Sequence, residues 1–297
     1  MNPYATAAAF KQALETRLRS TSSSGTDFAR RRQLVVFDRF LARITRELGD
    51  SVILKGGLVV ELRVDRARTT KDIDLRLVGP PAGVLERLRR AAELELSDFM
   101  LFNVARDAEH PAITNEGMAY EGQRYRVTCA LAGKPYGQMF GLDIAFADPI
   151  FGEPDIAVAS DVLGFAGIEP PTLRLYPLET HIAEKLHAYT LPRKRPNSRV
   201  KDLPDIALLA GVRAIEAERL RGALEQTFTS RKTHLLPAAL PPPPAAWAAP
   251  YARMVEEDEL GWADLATLTR AVEAFLNPVL AAKASRAWSP STWRWDT

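Results

Sequence analysis

LKGGLVVELRVDRARTTKDIDLRL, residues 54–77, ends on two aspartates separated by one isoleucine, Asp72 and Asp74. The segment KDIDLRLVG reads as a strand. Side chains alternate across a strand, so Ile73, Leu75 and Leu77 take the face that packs on a core, and Asp72, Asp74 and Arg76 share the other. Two carboxylates so placed stand about 7 Å apart along the backbone and repel one another unless something neutralises them. A divalent cation does so, and oxygen ligands on a strand suit Mg²⁺ or Mn²⁺, which take carboxylates together with water and phosphate. Surface pairs with Lys71, Arg76 or Arg68 are the simpler alternative for an isolated D-x-D.

Upstream of the aspartates, SVILKGG reads as a short strand running into Gly56 and Gly57, and GLVVELRV continues as a helix. Glycines at such a junction let backbone N–H groups approach a phosphate, with help from the helix N-terminus, or serve only to make a turn. Downstream, Phe140, Leu142, Ile144 and Phe146 of MFGLDIAFA form one apolar face, so Asp143 points the other way between Gly141 and Ala145. The small neighbours leave room for a ligand, although a bridge to an arginine would account for Asp143 equally well.

Farther out, residues 4–19 and the segment DFARRRQLVVFDRFLARITRELG carry apolar residues at helical spacing. PAGVLERLRRAAELE reads as a helix with proline near its start. Residues 118–147 read as a hairpin or meander around a GKPYG turn. From about residue 178 helical patterns dominate, interrupted by LPAALPPPPAAWAAP, which reads as a stiff polyproline linker. A boundary near residue 170 divides an α/β half, 1–170, from a mainly helical half, 171–297.

The 297 residues carry 46% hydrophobic and 26% charged side chains, a globular composition, and no run is long and apolar enough to span a membrane. No signal-peptide pattern opens the sequence, so a cytoplasmic location is expected. The single cysteine, Cys129, excludes an internal disulfide or a thiolate metal site and reads as a small core residue. A net charge of +2 does not announce nucleic-acid binding, but the local runs Arg30–Arg32 and PRKRPNSRVK are candidates to face phosphates.

The order glycine turn, D-x-D strand, later single carboxylate (LKGG, KDIDL, LDIAF) resembles the DNA polymerase β-like nucleotidyltransferase fold, with a slightly longer spacer between Gly57 and Asp72. HIAEKLHAYTLPRKRPNSRVKDLPDIALL sharpens the likeness. Together with the first motifs it resembles the AbiEii/AbiGii toxin family, which includes the MenT toxins of mycobacteria, over roughly residues 30–210. The resemblance implies an α+β fold, a mixed sheet with flanking helices followed by a helical C-terminal domain that completes the active site. It implies a metal-dependent nucleotidyltransferase toxin of a toxin–antitoxin system, using a nucleoside triphosphate.

By that resemblance Asp72 and Asp74, with Asp143 from the broader superfamily pattern, bind Mg²⁺ or Mn²⁺. Asp143 alternatively helps to deprotonate the attacking hydroxyl. Lys55, Gly56 and Gly57 form the nucleotide-binding turn, and Lys185 supplies charge to the triphosphate. Asp202 is the aspartate of the last motif, its partner open between Lys185, Lys71, a metal-bound water and the nucleotide. Asp205 is expected only to help helix packing or capping. Arg66, Arg68 and Lys71 are further phosphate contacts. Arg193, Lys194, Arg195, Arg199 and Lys201 exceed what a triphosphate needs and invite a polyanionic acceptor such as tRNA, or else form a solvated loop. The expected activity is addition of nucleotides to the 3′ acceptor end of tRNA, blocking translation, with a cognate antitoxin. The alternatives are nucleotide transfer onto a protein hydroxyl and a non-catalytic nucleotide- or RNA-binding regulator. The tail AWSPSTWRWDT, with Trp288, Trp293 and Trp295, either anchors on the helical half or presents an interface.

Overall fold

A computed structural model describes residues 3–64, 70–112, 122–146, 149–194, 196–284 and 286–296. Arg66, Arg68 and Arg195 therefore lie outside the described residues. Helix α1 (Ala7–Thr21) begins where the Thr6 side chain accepts from the Ala9 amide, and it buries Phe10, Leu14 and Leu18. Helix α2 (Gly25–Leu48) is capped in the same way by Ser24 and stops at Gly49. Strand β1 (Val52–Lys55) runs directly into α3 (Gly56–Arg63). Then come β2 (Ile73–Leu77), α4 (Val84–Glu93), β3 (Met100–Arg106), β4 (Gly122–Leu131), β5 (Lys134–Pro135), β6 (Phe140–Ala145), β7 (Asp155–Val158) and β8 (Thr172–Leu175).

These strands form one mixed sheet in the order β3-β4-β6-β2-β1-β8-β7, with β5 folded back on β4. Strand β2 is antiparallel to β1 and parallel to β6, whereas β8 is parallel to β1. The apolar half of each alternating strand, for example Ile73, Leu75 and Leu77, is buried against α1, α2 and α4 in one core. Burial of that face sets the register, because a slip of one residue would turn the aspartates into the core. At the rim of this core Arg43 grips Asp98 with two bonds of 2.7 Å, joined by Arg39 at 2.8 Å, and ties α2 to the start of β3. Cys129 is buried in the same core, and burial pushes its thiol up to about 12, which makes it an inert packing residue.

After β8 the chain enters α5 (Leu178–Thr190), α6 (Asp202–Ala210), β9 (Ile215–Glu216), α7 (Ala217–Arg231), α8 (Ala248–Asp258), α9 (Leu265–Leu280), β10 (Ala287–Ser289) and β11 (Arg294–Trp295). The hydrophobic core changes between Leu175 and Leu178, and from the first half the second core takes in Val60 of α3. The helical half is not purely helical, since β9, β10 and β11 form a small separate sheet. That sheet exists because the tail is anchored. Trp288 is fully buried and donates to the Ala210 carbonyl, while Trp293 and Trp295 donate to Ala271 and Phe275. The proline-rich stretch is likewise no free linker: Leu240 and Trp247 are buried, the Leu240 amide donates to Asn277, and Pro241 accepts from Tyr189. Edge strands β3 and β7 and strand β8 were not apparent from the sequence.

Candidate active site

The ladder hydrogen bonds bring the site together. Lys55 of β1 pairs across from Asp74 of β2, Asp74 from Asp143 of β6, and Asp143 from Arg124 of β4. Residues directly opposite share a face, so the four form a row of charges ordered plus, minus, minus, plus, with about 4.8 Å between neighbouring strands. Asp72 sits immediately before β2 at the mouth of this row. Its Oδ1 accepts from the Gly141 amide at 3.0 Å.

Two glycines owe their identity to these carboxylates. Gly56 has φ +72°, and a Cβ there would lie 1.9 Å from Asp74 Oδ2. The glycine therefore makes room for Asp74 at the N-terminus of α3, where the helix end favours negative charge. A Cβ on Gly141 would lie 2.7 Å from Asp72 Oδ1, so the space beside Asp143 accommodates Asp72. Gly57 is buried in the first turn of α3.

Asp143 is held in a bidentate pair by Arg124, with bonds of 2.7 and 2.6 Å, the arginine bridge that its sequence context left open. That carboxylate, together with burial counted against it, raises the guanidinium of Arg124 well above its ordinary value. Among the described residues no arginine holds Asp74 in this way. Burial first, then Asp143, push its carboxyl up to about 6, with Asp72 adding to the effect and Lys55 and Lys185 opposing it.

The helical half approaches this row through α5. Adjacent residues Glu184 and Lys185 project in different directions, about 100° apart around the helix. Lys185 Nζ lies 2.7 Å from Asp205 and 3.3 Å from Asp202, and Asp202 also accepts from Arg199 at 2.8 Å. Both aspartates are in the first turn of α6 and are buried. Asp202 thus orients Lys185, and Asp205 does so more closely than a packing or capping residue would. Glu184 reaches Lys55 at 3.2 Å and Arg231 of α7 at 2.6 Å, and its Oε1 accepts from the Tyr176 hydroxyl at 3.2 Å. Burial opposes the charge on Glu184, but Lys55 and Arg231 outweigh it and hold the carboxyl below its usual range.

Arg124, Glu184, Tyr176 and Arg231 were missed in the sequence. Only Glu184 had a signal, its position beside Lys185 in HIAEKLHAY.

Lys71 is exposed next to Asp72. The basic loop is tied down: Asn197 Nδ2 donates to Tyr189 O, Trp247 Nε1 to Asn197 O, and Arg193 to Ala188 O, leaving Lys194 and Lys201 exposed. Arg30 and Arg31, by contrast, pair with Glu61 and Asp27, and Arg32 lies over the rings of Phe28 and Tyr136.

Among the described residues no three His, Cys, Asp or Glu side chains are gathered into a metal cage, so Asp72, Asp74 and Asp143 do not form a ready-made one. The elevated Asp74 carboxyl facing Asp143 nevertheless suits a hard divalent cation, provided that water and phosphate oxygens complete its shell. No helix among the described residues is long and apolar enough to cross a membrane.

No curated protein matches the chain in sequence. Among solved structures, the nucleotidyltransferase toxin MenT4 (Rv2826c) from Mycobacterium tuberculosis H37Rv aligns with 98% of this chain and 93% of its own, at 15% identity and a TM-score of 0.53. JHP933 from Helicobacter pylori aligns over 84% of this chain and 93% of its own, at 19% identity and a TM-score of 0.48. At its identity the likeness to MenT4 speaks for a shared fold alone. The family described as nucleotidyl transferase AbiEii toxin, type IV TA system, matches residues 39–285. With most of its length inside that match, the chain belongs to the AbiEii nucleotidyltransferase toxins, a family that implies a nucleoside triphosphate substrate and an antitoxin partner.

Proposed function

We propose that this toxin transfers nucleotides from a nucleoside triphosphate to the 3′ acceptor end of tRNA in the cytoplasm and so blocks translation. The observation that carries the reading is the row Lys55–Asp74–Asp143–Arg124 across four strands, with Asp72 at its mouth and Lys185 approaching from α5. Asp72, Asp74 and Asp143 would hold Mg²⁺ or Mn²⁺. An ion held there would supply positive charge against the phosphate charge that opposes in-line attack. Lys55 and Lys185 flank Asp74 with positive charge and meet the phosphates, while Lys71, Gly56 and Gly57 line the approach. Asp202 and Asp205 keep Lys185 in place. Arg124 holds Asp143 in one orientation through two bonds, and Asp143 accepts the proton of an attacking hydroxyl or shares in holding the ion.

The exposed cations Lys194, Arg199 and Lys201, close in sequence to Asp202, favour a polyanionic acceptor over a protein side chain. In this reading residues 1–170 supply the carboxylates, and the helical remainder completes the site through Glu184 and Lys185.

The test is incubation of the purified protein with Mg²⁺, each labelled nucleoside triphosphate separately and total tRNA, followed by sequencing of RNA 3′ ends. Lengthened tRNA that depends on Asp72 and Asp74 is expected. Label on protein alone would replace the reading with transfer to a hydroxyl side chain. Growth inhibition undiminished in the Asp72→Ala, Asp74→Ala variant would replace it with a binding function.

A further inference from the structure

The carboxylate of Glu184 sits where four separate pieces of the fold meet. It receives Lys55 from β1 at 3.2 Å, Arg231 from α7 at 2.6 Å and the hydroxyl of Tyr176, which follows β8, at 3.2 Å. The side chains of Lys55, Glu184 and Arg231 are only 12, 13 and 9% exposed, and Tyr176 is fully buried. The Lys55 ammonium also lies 5.1 Å from the centroid of the Tyr176 ring. A lysine on a four-carbon stem has many orientations open to it. Here a charged partner and an aromatic face narrow that choice at a residue directly across the ladder from Asp74.

We propose that Glu184 is a positioning residue that sets Lys55 for the nucleotide phosphates, so that the packing of α5 and α7 governs triphosphate affinity. The proposal rests on the reading that Lys55 meets those phosphates. Glu184 acts through Lys55 and touches no substrate. Arg231 in turn orients Glu184, and its other terminal nitrogen lies 3.2 Å from His187 Nδ1, which joins the lysine to the half-buried His187–Thr233 pair between α5 and the end of α7. Burial, then Arg231, lower His187 to about 3, so this ring stays neutral and its ring nitrogens form hydrogen bonds without adding charge.

The experiment is a double-mutant cycle read by calorimetric binding of the α,β-methylene analogues of the four nucleoside triphosphates, with Mg²⁺ present. Glu184→Gln should weaken binding of the preferred analogue about tenfold, the scale of one charge-assisted contact, and leave binding of the matching nucleoside unchanged. In a Lys55→Met background the same substitution should have no further effect. A merely structural role would lower affinity equally in both backgrounds. Tyr176→Phe removes a single hydroxyl and should act in the same direction, more weakly, should Glu184→Gln fail to fold.

Unchanged affinity, an equal loss in both backgrounds, or an equal loss for the nucleoside would overturn the proposal. Because binding is measured without turnover, a wild-type protein that binds the analogue but extends no RNA would refute the transferase reading and leave this one to the cycle.

Discussion

Asp74→Asn should make the folded protein more stable while abolishing its activity. An asparagine has nearly the shape of a protonated aspartate, so it removes the charge without removing the packing. In the unfolded chain the Asp74 carboxyl titrates at its ordinary 3.8. In the fold, burial and the neighbouring Asp143 carry it to about 6. Between these values the unfolded state is the more ionised, so folding stability falls as pH rises from 4 through 6 and is level above.

At 1.36 kcal/mol per pH unit, the ionised carboxylate costs the fold about 1.6 kcal/mol at pH 5 and about 3 kcal/mol at pH 8. For a chain of this size that is a gain of roughly 5–8 °C in Tm for the variant at pH 8. The assay is thermal and urea denaturation of both proteins in chelator-containing buffer at pH 5 and pH 8. Groups common to the two proteins cancel in the difference. Mg²⁺ with a nucleoside triphosphate should then raise the wild-type Tm and leave the variant's unchanged, since only a binding-competent site gains from the ligand. A variant less stable than wild type at pH 8, or a gap that does not widen between pH 5 and pH 8, refutes the reasoning.

Other substitutions separate chemistry from architecture. Asp72 is exposed, so Asp72→Asn should leave stability within about 0.5 kcal/mol while removing transferase activity, read by RNA extension and by urea denaturation of the same preparation. Lys185→Met would leave buried Asp205 and Asp202 short of a counter-charge and should cost about 3–5 kcal/mol; adding Asp205→Asn should recover a large part of it, and failure of that recovery would deny the pairing. Gly56→Ala places a Cβ against Asp74 on a left-handed backbone. A loss of about 1–3 kcal/mol in denaturation is expected, together with loss of nucleotide transfer. Trp288→Ala should cost about 3–5 kcal/mol and expose the remaining tail to proteolysis, because its ring is fully buried and its indole N–H satisfies Ala210.

The site was legible in the sequence where chemistry imposes residue identity locally. An aspartate pair on an alternating strand and a glycine pair where strand meets helix carry their reason within a few neighbours, whereas Lys185 and Asp202 were read only through the family resemblance. Arg124 could not be read that way. It becomes part of the site only because β4 pairs with β6 so that residues 124 and 143 face each other. Glu184 meets Lys55 across the boundary between the two cores while Arg231 pairs with Glu184, contacts that no local pattern encodes.

Strands β3, β7 and β8 were similarly illegible. β7 and β8 have only four residues each, and in β3 the exposed Leu101 and Ala105 hide the alternation that its burial follows. The proline segment reads as a linker, and the tail leaves anchoring and interface both open, because the partners that bury them, Asn277, Tyr189, Ala210 and Phe275, come from distant parts of the chain.

By itself, then, the sequence determined the chemistry on offer, the alternation that faces the aspartates away from the core, and the broad sequence of strands and helices. Which charges meet was decided by tertiary structure alone. Strand register and the docking of α5 against β1 set distances of a few ångströms, and electrostatic energies between groups depend on those distances and on burial.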